Sequence, residues 1–203
     1  MQLRDEAPTL ALLITVYGTF TGLTLAASTL PLWLIIPLLA ATIALHSSLQ
    51  HEVLHGHPFR NQTLSDATIF PALGLFIPYL RFKDTHLAHH YDPNLTDPYD
   101  DPETNYVDII HWNAMPVWRK RLAQFNNTLV GRMLLGPTIG LVQFYASDLR
   151  AALGGNRRVW LSYGLHILGA ALPLAWVIWA TPLPLWAYAL AAYGAMSLLK
   201  IRT

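Results

Sequence analysis

The sequence predicts an all-α integral membrane protein, with four transmembrane helices in two hairpins and a histidine-bearing cytoplasmic cap. Two observations predict this class. The chain of 203 residues is 53% hydrophobic and only 12% charged, whereas an ordinary soluble domain has about 25% charged residues. The apolar residues are also concentrated in four long runs, and a helix needs about 20 such residues to cross a bilayer.

The four runs form two pairs. The predicted spans cover about residues 10–30, 32–49, 159–180 and 183–199. Pro31 separates the first two runs, and the sequence Thr-Pro-Leu-Pro separates the last two. Because both separating segments are very short, we expect each pair to form a helical hairpin. We treat 1–203 as a single membrane domain with a cap at about 50–158.

The positions of the basic residues predict the orientation of these spans. None of the 13 Lys and Arg residues lies in either hairpin turn, and all lie near the chain ends or within residues 50–158. Basic residues are enriched in cytoplasmic loops. We therefore expect both termini and the cap on the cytoplasmic side. The formal net charge of +1 gives no overall positive field, so no nucleic-acid partner is expected.

Five histidines form two tight clusters close to the apolar runs. The clusters are His51 with His55, and His86 with His89 and His90. Residues three or four apart share one face of an α-helix, and imidazole suits zinc, copper, iron and nickel. With no cysteine in the chain, any metal must use nitrogen and oxygen ligands. The sequence therefore predicts that these five histidines bind metal.

The other four histidines carry weaker signals. His46 is expected to be buried and hydrogen-bonded, and His57, beyond the predicted helix end at Gly56, is either a ligand or a support for one. His111 gives no clear signal. His166 lies within the third run, where a polar side chain is either functional or a partnered structural residue.

The first cluster also matches the zinc-protease pattern His-Glu-x-x-His, with Glu52 as the base. A four-coordinate zinc site needs only one further protein ligand. The second cluster, with three more histidines, favours a site with more than one metal.

Both clusters resemble the histidine boxes of the membrane fatty acid desaturase and hydroxylase superfamily. The strings Gln-His-Glu-Val-Leu-His-Gly at 50–56 and Thr-His-Leu-Ala-His-His at 85–90 resemble the first and second boxes of bacterial members. The resemblance implies O2-dependent oxidation of an unactivated C–H bond in a lipid acyl chain. Desaturation is the first reaction that it implies. Hydroxylation and carotenoid ketolation are the alternatives within the superfamily.

The resemblance also implies cofactors, partners and a location. It implies that His51, His55, His86, His89 and His90 are the catalytic residues. It also implies two non-haem irons, O2 as co-substrate, and a separate ferredoxin- or cytochrome-type electron donor with its reductase. A bacterial-type cytoplasmic membrane is the expected location. The superfamily carries a third box after the fourth helix, and residues 200–203 stand where that segment would begin. We therefore expect a C-terminally incomplete chain, and an inactive fragment is a further alternative.

Three segments of the cap carry expectations of their own. The short apolar segments 67–80 and 134–146 are expected to be interfacial or re-entrant helices. Residues 91–103 contain three Asp-Pro steps and are expected to form a rigid acidic loop. Asp92 and Asp97 are candidates for orienting the histidine rings.

Overall fold

The computed structural model describes residues 3–91 and 107–200, without the side chains of residues 3–5, 89 and 91. Within these residues the secondary structure is helical, and no strand is present. The helices are α1 (Leu3–Leu25), α2 (Leu32–Leu54), α3 (Gln62–Thr68), α4 (Tyr79–Tyr91), α5 (Ile109–Ala114), α6 (Val117–Asn126), α7 (Leu129–Leu134), α8 (Gly136–Leu153), α9 (Arg157–Ala180) and α10 (Leu185–Leu199). A short 3₁₀ helix, Ala26–Ser28, extends α1.

Three segments within the described residues are long and apolar enough to cross a membrane. They are Glu6–Ser28, Leu32–Leu54 and Arg157–Ala180, and they coincide with three of the four predicted runs. The fourth run forms α10, an apolar helix of 15 residues, which is about 22 Å long at 1.5 Å per residue. The protein is therefore a helical membrane protein, and its described residues contain three helices of full spanning length.

Small side chains allow α10 to pack closely on α2. Ala187, Ala191 and Ala195 recur every fourth residue on α10, and all are fully buried or nearly so. A Cβ atom at Gly194 would lie 3.3 Å from Ala40 of α2, so the backbones approach closely, as small residues permit in membrane helices. The ends of the two helices lie on the same side, because residues 43–50 and 192–199 line one groove.

The predicted helix over 67–80 is wrong, because α3 ends at Thr68 and residues 69–78 are irregular. Two prolines in this segment, Pro71 and Pro78, oppose a continuous helix. The segment is nevertheless buried in the protein, with Leu73 only 2% exposed. The predicted helix over 134–146 is largely present as α8, which Pro137 helps to begin.

Side chains from four helices hydrogen-bond to the carbonyls of this irregular segment and of the residue before it. The acceptors are the carbonyls of Thr68, Leu73, Leu75 and Phe76, and the donors are Tyr17 of α1, Tyr188 of α10, His166 of α9 and Tyr145 of α8. Irregular backbone at membrane depth is tolerated only where protein or a cavity satisfies its polar groups. These four donors explain how a non-helical segment can lie among the membrane helices.

Candidate metal centre

The first two candidate ligands lie at the end of α2. Leu49 and Val53 are buried in the core and sit one helical turn apart. His51 comes two residues after Leu49, and His55 comes two residues after Val53. Each histidine therefore lies about 200° further around the helix, on the side opposite the core. The helix ends at Leu54, His55 caps it, and Gly56 adopts a φ of 101° that favours glycine.

The second pair of ligands lies on α4. His86 and His90 are one turn apart and face the same way. The Phe82 ring, one turn earlier, stacks on His86 with ring centroids 5.5 Å apart. This contact restrains the orientation of the His86 imidazole.

The two pairs of histidines meet in one group, here named the four-ring cluster: His51, His55, His86 and His90. One ligand nitrogen from each ring lies within 4.8 Å of the others. Across the two helices, ring centroids are 4.6 Å apart for His51–His86 and 5.1 Å apart for His55–His90. The Nε2 atoms of His86 and His90 are 2.9 Å apart, so these two nitrogens face the same point.

One predicted ligand and both predicted carboxylates fall outside what the structure describes. The backbone of His89 belongs to α4, but its side chain is not among the described ones. Asp92 and Asp97 lie within 92–106, also outside the described residues. Their roles stay predictions.

The remaining histidines have partners elsewhere. His46 is buried and its Nε2 lies 3.2 Å from the Tyr17 hydroxyl. Because Tyr17 already donates to a carbonyl, His46 is the donor of this hydrogen bond. His57 pairs with the carboxylate of Glu6, and His111 pairs with Asp108. His166 donates to the carbonyl of residue 75 in the irregular segment.

Polar contacts that the sequence did not reveal hold α4 in place. At its start, the Tyr79 hydroxyl donates to Asp66 of α3 over 2.7 Å, and Lys83 pairs with the same carboxylate over 3.1 Å. Burial raises the pKa of Tyr79 well above its usual range, and the hydrogen bond to Asp66 raises it further. Tyr79 therefore stays a neutral donor.

Two further ion pairs join α4 to α8 and α9. Arg81 donates to Asp148 of α8 through Nε and a terminal nitrogen, over 2.9 and 2.7 Å. Asp148 is 3% exposed and also accepts from the Tyr163 hydroxyl of α9 over 3.0 Å. Asp84 accepts two hydrogen bonds from Arg158, each 3.0 Å long. The only sequence signal for these residues was that charges are scarce in this chain.

The donor set of the four-ring cluster fits a late first-row metal ion. Its four nitrogens belong to imidazoles, which bind metal ions in their neutral form and suit iron as well as zinc. Four such donors can surround one four-coordinate ion, but two six-coordinate irons need more ligands than these rings supply. The cluster therefore fits one four-coordinate ion, or part of a larger site that further ligands would complete.

Comparison with known proteins identifies the family. The family model described as Fatty acid desaturase matches residues 27–200. No curated protein and no solved structure gives a significant match to the chain. The family match begins before α2, ends after α10 and includes both histidine pairs of the four-ring cluster. This chain therefore belongs to the fatty acid desaturase family.

Proposed function

We propose that this protein oxidises an unactivated C–H bond of a lipid acyl chain with O2, and that the reaction is desaturation. One observation carries the proposal: imidazoles from two separate helices meet in the four-ring cluster, in a chain of the desaturase family. Hydroxylation or ketolation by the same centre would give a different product, so product analysis distinguishes these alternatives from desaturation.

The proposed metal ligands and catalytic residues are His51, His55, His86, His89 and His90. When bound, a pair of non-haem irons would supply the site at which O2 is bound and reduced. The protein's own part is to hold the rings at fixed spacing. The ion pairs of α4 support this role, because they restrain the helix that carries three of the five proposed ligands.

A groove between α2, the irregular segment and α10 supports an acyl chain as the substrate. Apolar side chains such as Ile43, Leu75 and Leu199 line it, and Gln50 is at one end of the α2 stretch along it. Ser47 also lines the groove and lies one helical turn before His51, so a chain in this groove would extend towards the four-ring cluster. Holding the reacting methylene in place matters, because a misplacement of about 1 Å can cost about 10²-fold in rate.

The proposed topology places α10 as a fourth span, although it is shorter than the other three. Both termini and the four-ring cluster would face the cytoplasm, as the positions of the basic residues indicate. We treat the chain as one domain in a bacterial-type cytoplasmic membrane. Electrons would come from a separate ferredoxin- or cytochrome-type donor with its reductase, as is typical of the family.

Metal and product analysis of the purified full chain tests the proposed function. We expect about two irons per chain and, with O2 and a reduced ferredoxin, an acyl product with one more double bond. His86→Ala should abolish both, whereas His111→Ala should change neither, since His111 lies outside the four-ring cluster. One zinc per chain, with peptide hydrolysis that Glu52→Gln abolishes, would establish the protease alternative instead. A chain without bound metal would support the inactive-fragment alternative.

A further inference from the structure

A second, polar cleft lies where the end of α6, α7, the start of α8 and the end of α10 meet. Its volume is about 220 Å³, whereas one water molecule needs only about 10–15 Å³ by a comparable measure. The polar and glycine residues that line it are Asn126, Asn127, Arg132, Gly136, Gly140, Gln143 and Lys200. No acidic residue is among the described residues that line this cleft.

Two buried polar atoms in the cleft lack a hydrogen-bond partner. Within the part of the chain that the structure describes, the Arg132 Nε–H donor and the Asn126 Oδ1 acceptor are both buried and unsatisfied. Buried polar groups are nearly always paired in folded proteins, so each exception needs an explanation. A ligand that offers an anionic acceptor to Arg132 and a donor to Asn126 would satisfy both atoms.

Glycines shape the walls of the cleft and fix the arginine. Gly136 and Gly140 lie one turn apart on α8, and a Cβ at Gly140 would approach nothing closer than 3.8 Å. At Gly131 a Cβ would lie 1.8 Å from the carbonyl oxygen of Phe125, so α7 packs directly on the end of α6. This packing holds the neighbouring Arg132 against the cleft.

The surroundings of the cleft indicate a lipid ligand. Exposed apolar side chains stand on α7 and α8 beside it, including Val130, Leu134 and Val142. The cleft also lies at the end of α10 on the same side as the end of α2, hence at the end of the membrane-embedded helices. Basic side chains at such a depth meet the phosphates of lipid headgroups.

We propose that this cleft binds the phosphodiester of a membrane phospholipid headgroup, with the Arg132 guanidinium on the phosphate and Asn126 Oδ1 accepting from a headgroup hydroxyl. Lys200 adds positive charge at the same cleft. The acyl chains would lie along the apolar faces of α7 and α8. Phosphatidylglycerol offers this combination of anion, hydroxyl and acyl chains. The proposal does not depend on the metal chemistry.

Titration of phosphatidylglycerol into detergent micelles of the purified full chain tests this assignment. Arg132→Gln removes the charge, and we expect about tenfold weaker binding, because a charge-assisted hydrogen bond is lost. Gly140→Leu keeps every charge but fills the cleft, and should weaken binding similarly without disturbing α8. Arg121→Gln is the matched control, since Arg121 is exposed on α6 and does not line the cleft.

Two further ligands separate the possible sources of the phosphate. Diacylglycerol, which lacks the phosphate, should bind with no difference between the parent and Arg132→Gln. Inorganic phosphate should bind far more weakly than phosphatidylglycerol, because it gains nothing from the apolar faces. The proposal is overturned if Arg132→Gln and Gly140→Leu bind phosphatidylglycerol like Arg121→Gln, or if inorganic phosphate binds as tightly as the lipid. Metal content, measured in parallel, should be the same in all four proteins.

Discussion

The two helices that carry the four-ring cluster are held by different forces. On α2, the side chains of Ile35, Leu39 and Ile43 are at most 2% exposed and pack in the apolar core. On α4, the side chains between Tyr79 and Ala88 are half-buried or exposed, and ion pairs and hydrogen bonds provide its links to α3, α8 and α9.

This difference separates the stability of the fold from the geometry of the metal centre. Many side chains share the packing of α2, so a single substitution removes only part of it. This packing contributes mostly to the stability of the fold. The links of α4 are few and directional, and they set where His86 and His90 stand relative to His51. Substitutions in the two helices should therefore give different combinations of lost stability and lost metal affinity.

The largest expected effect follows from Asp148→Ala, which removes the carboxylate 2.7 Å from the half-buried Arg81 and leaves it the longer 3.8 Å contact with Asp84. Removing one partner of a buried ion pair costs about 3–5 kcal/mol, so the midpoint of thermal unfolding in micelles should fall strongly. Metal affinity should fall as well, because α4 loses its link to α8. Unchanged metal affinity in the folded variant would show that this ion pair does not position the histidines.

Leu39→Ala tests the other side of the comparison. Leu39 is 0% exposed, and its truncation should cost about 2–3 kcal/mol in lost packing. Metal affinity, measured at a temperature well below the midpoint of thermal unfolding, should stay at the parental value, because α2 keeps its other core contacts. If metal affinity fell as far as in Asp148→Ala, the two helices would not differ in the way argued above.

Gly169→Ala probes the contact between α9 and the irregular segment. The added Cβ would lie 2.4 Å from the carbonyl oxygen of Phe70, so the backbone must shift, at a cost of about 1–2 kcal/mol. Gly164→Ala is the control on the same helix, since its Cβ would meet nothing within 4 Å. Equal unfolding midpoints for the two variants would contradict the close packing of this segment.

The smallest expected effect is that of Asp84→Asn. Its partner Arg158 has a side chain that is 50% exposed, and such ion pairs are worth less than about 1 kcal/mol. The unfolding midpoint should hardly change, and metal affinity should fall less than in Asp148→Ala. A larger loss than in that variant would place the main link of α4 at α9 instead of α8.

Local spacing predicted the histidine pairs, but long-range contacts were not visible in the sequence. His51 and His55, or His86 and His90, are recognisable because one helical turn sets their separation. The partners Arg81 and Asp148 are 67 residues apart, and no periodicity connects them. The segment 69–78 departs from its predicted helix for a related reason: its apolar residues are typical of a helix, whereas its carbonyls are satisfied by distant side chains.

Metal binding by single and double variants tests most directly whether α2 and α4 share one centre. Fe²⁺ would be titrated without O2 into the parent chain, His51→Ala, His86→Ala and the double variant. A shared centre predicts that either single substitution weakens binding by more than about 100-fold and that the second adds little. The shared centre would be contradicted if each single variant still bound Fe²⁺ with parental affinity at the helix that was not substituted. The losses in Fe²⁺ binding caused by the two substitutions would then add independently in the double variant.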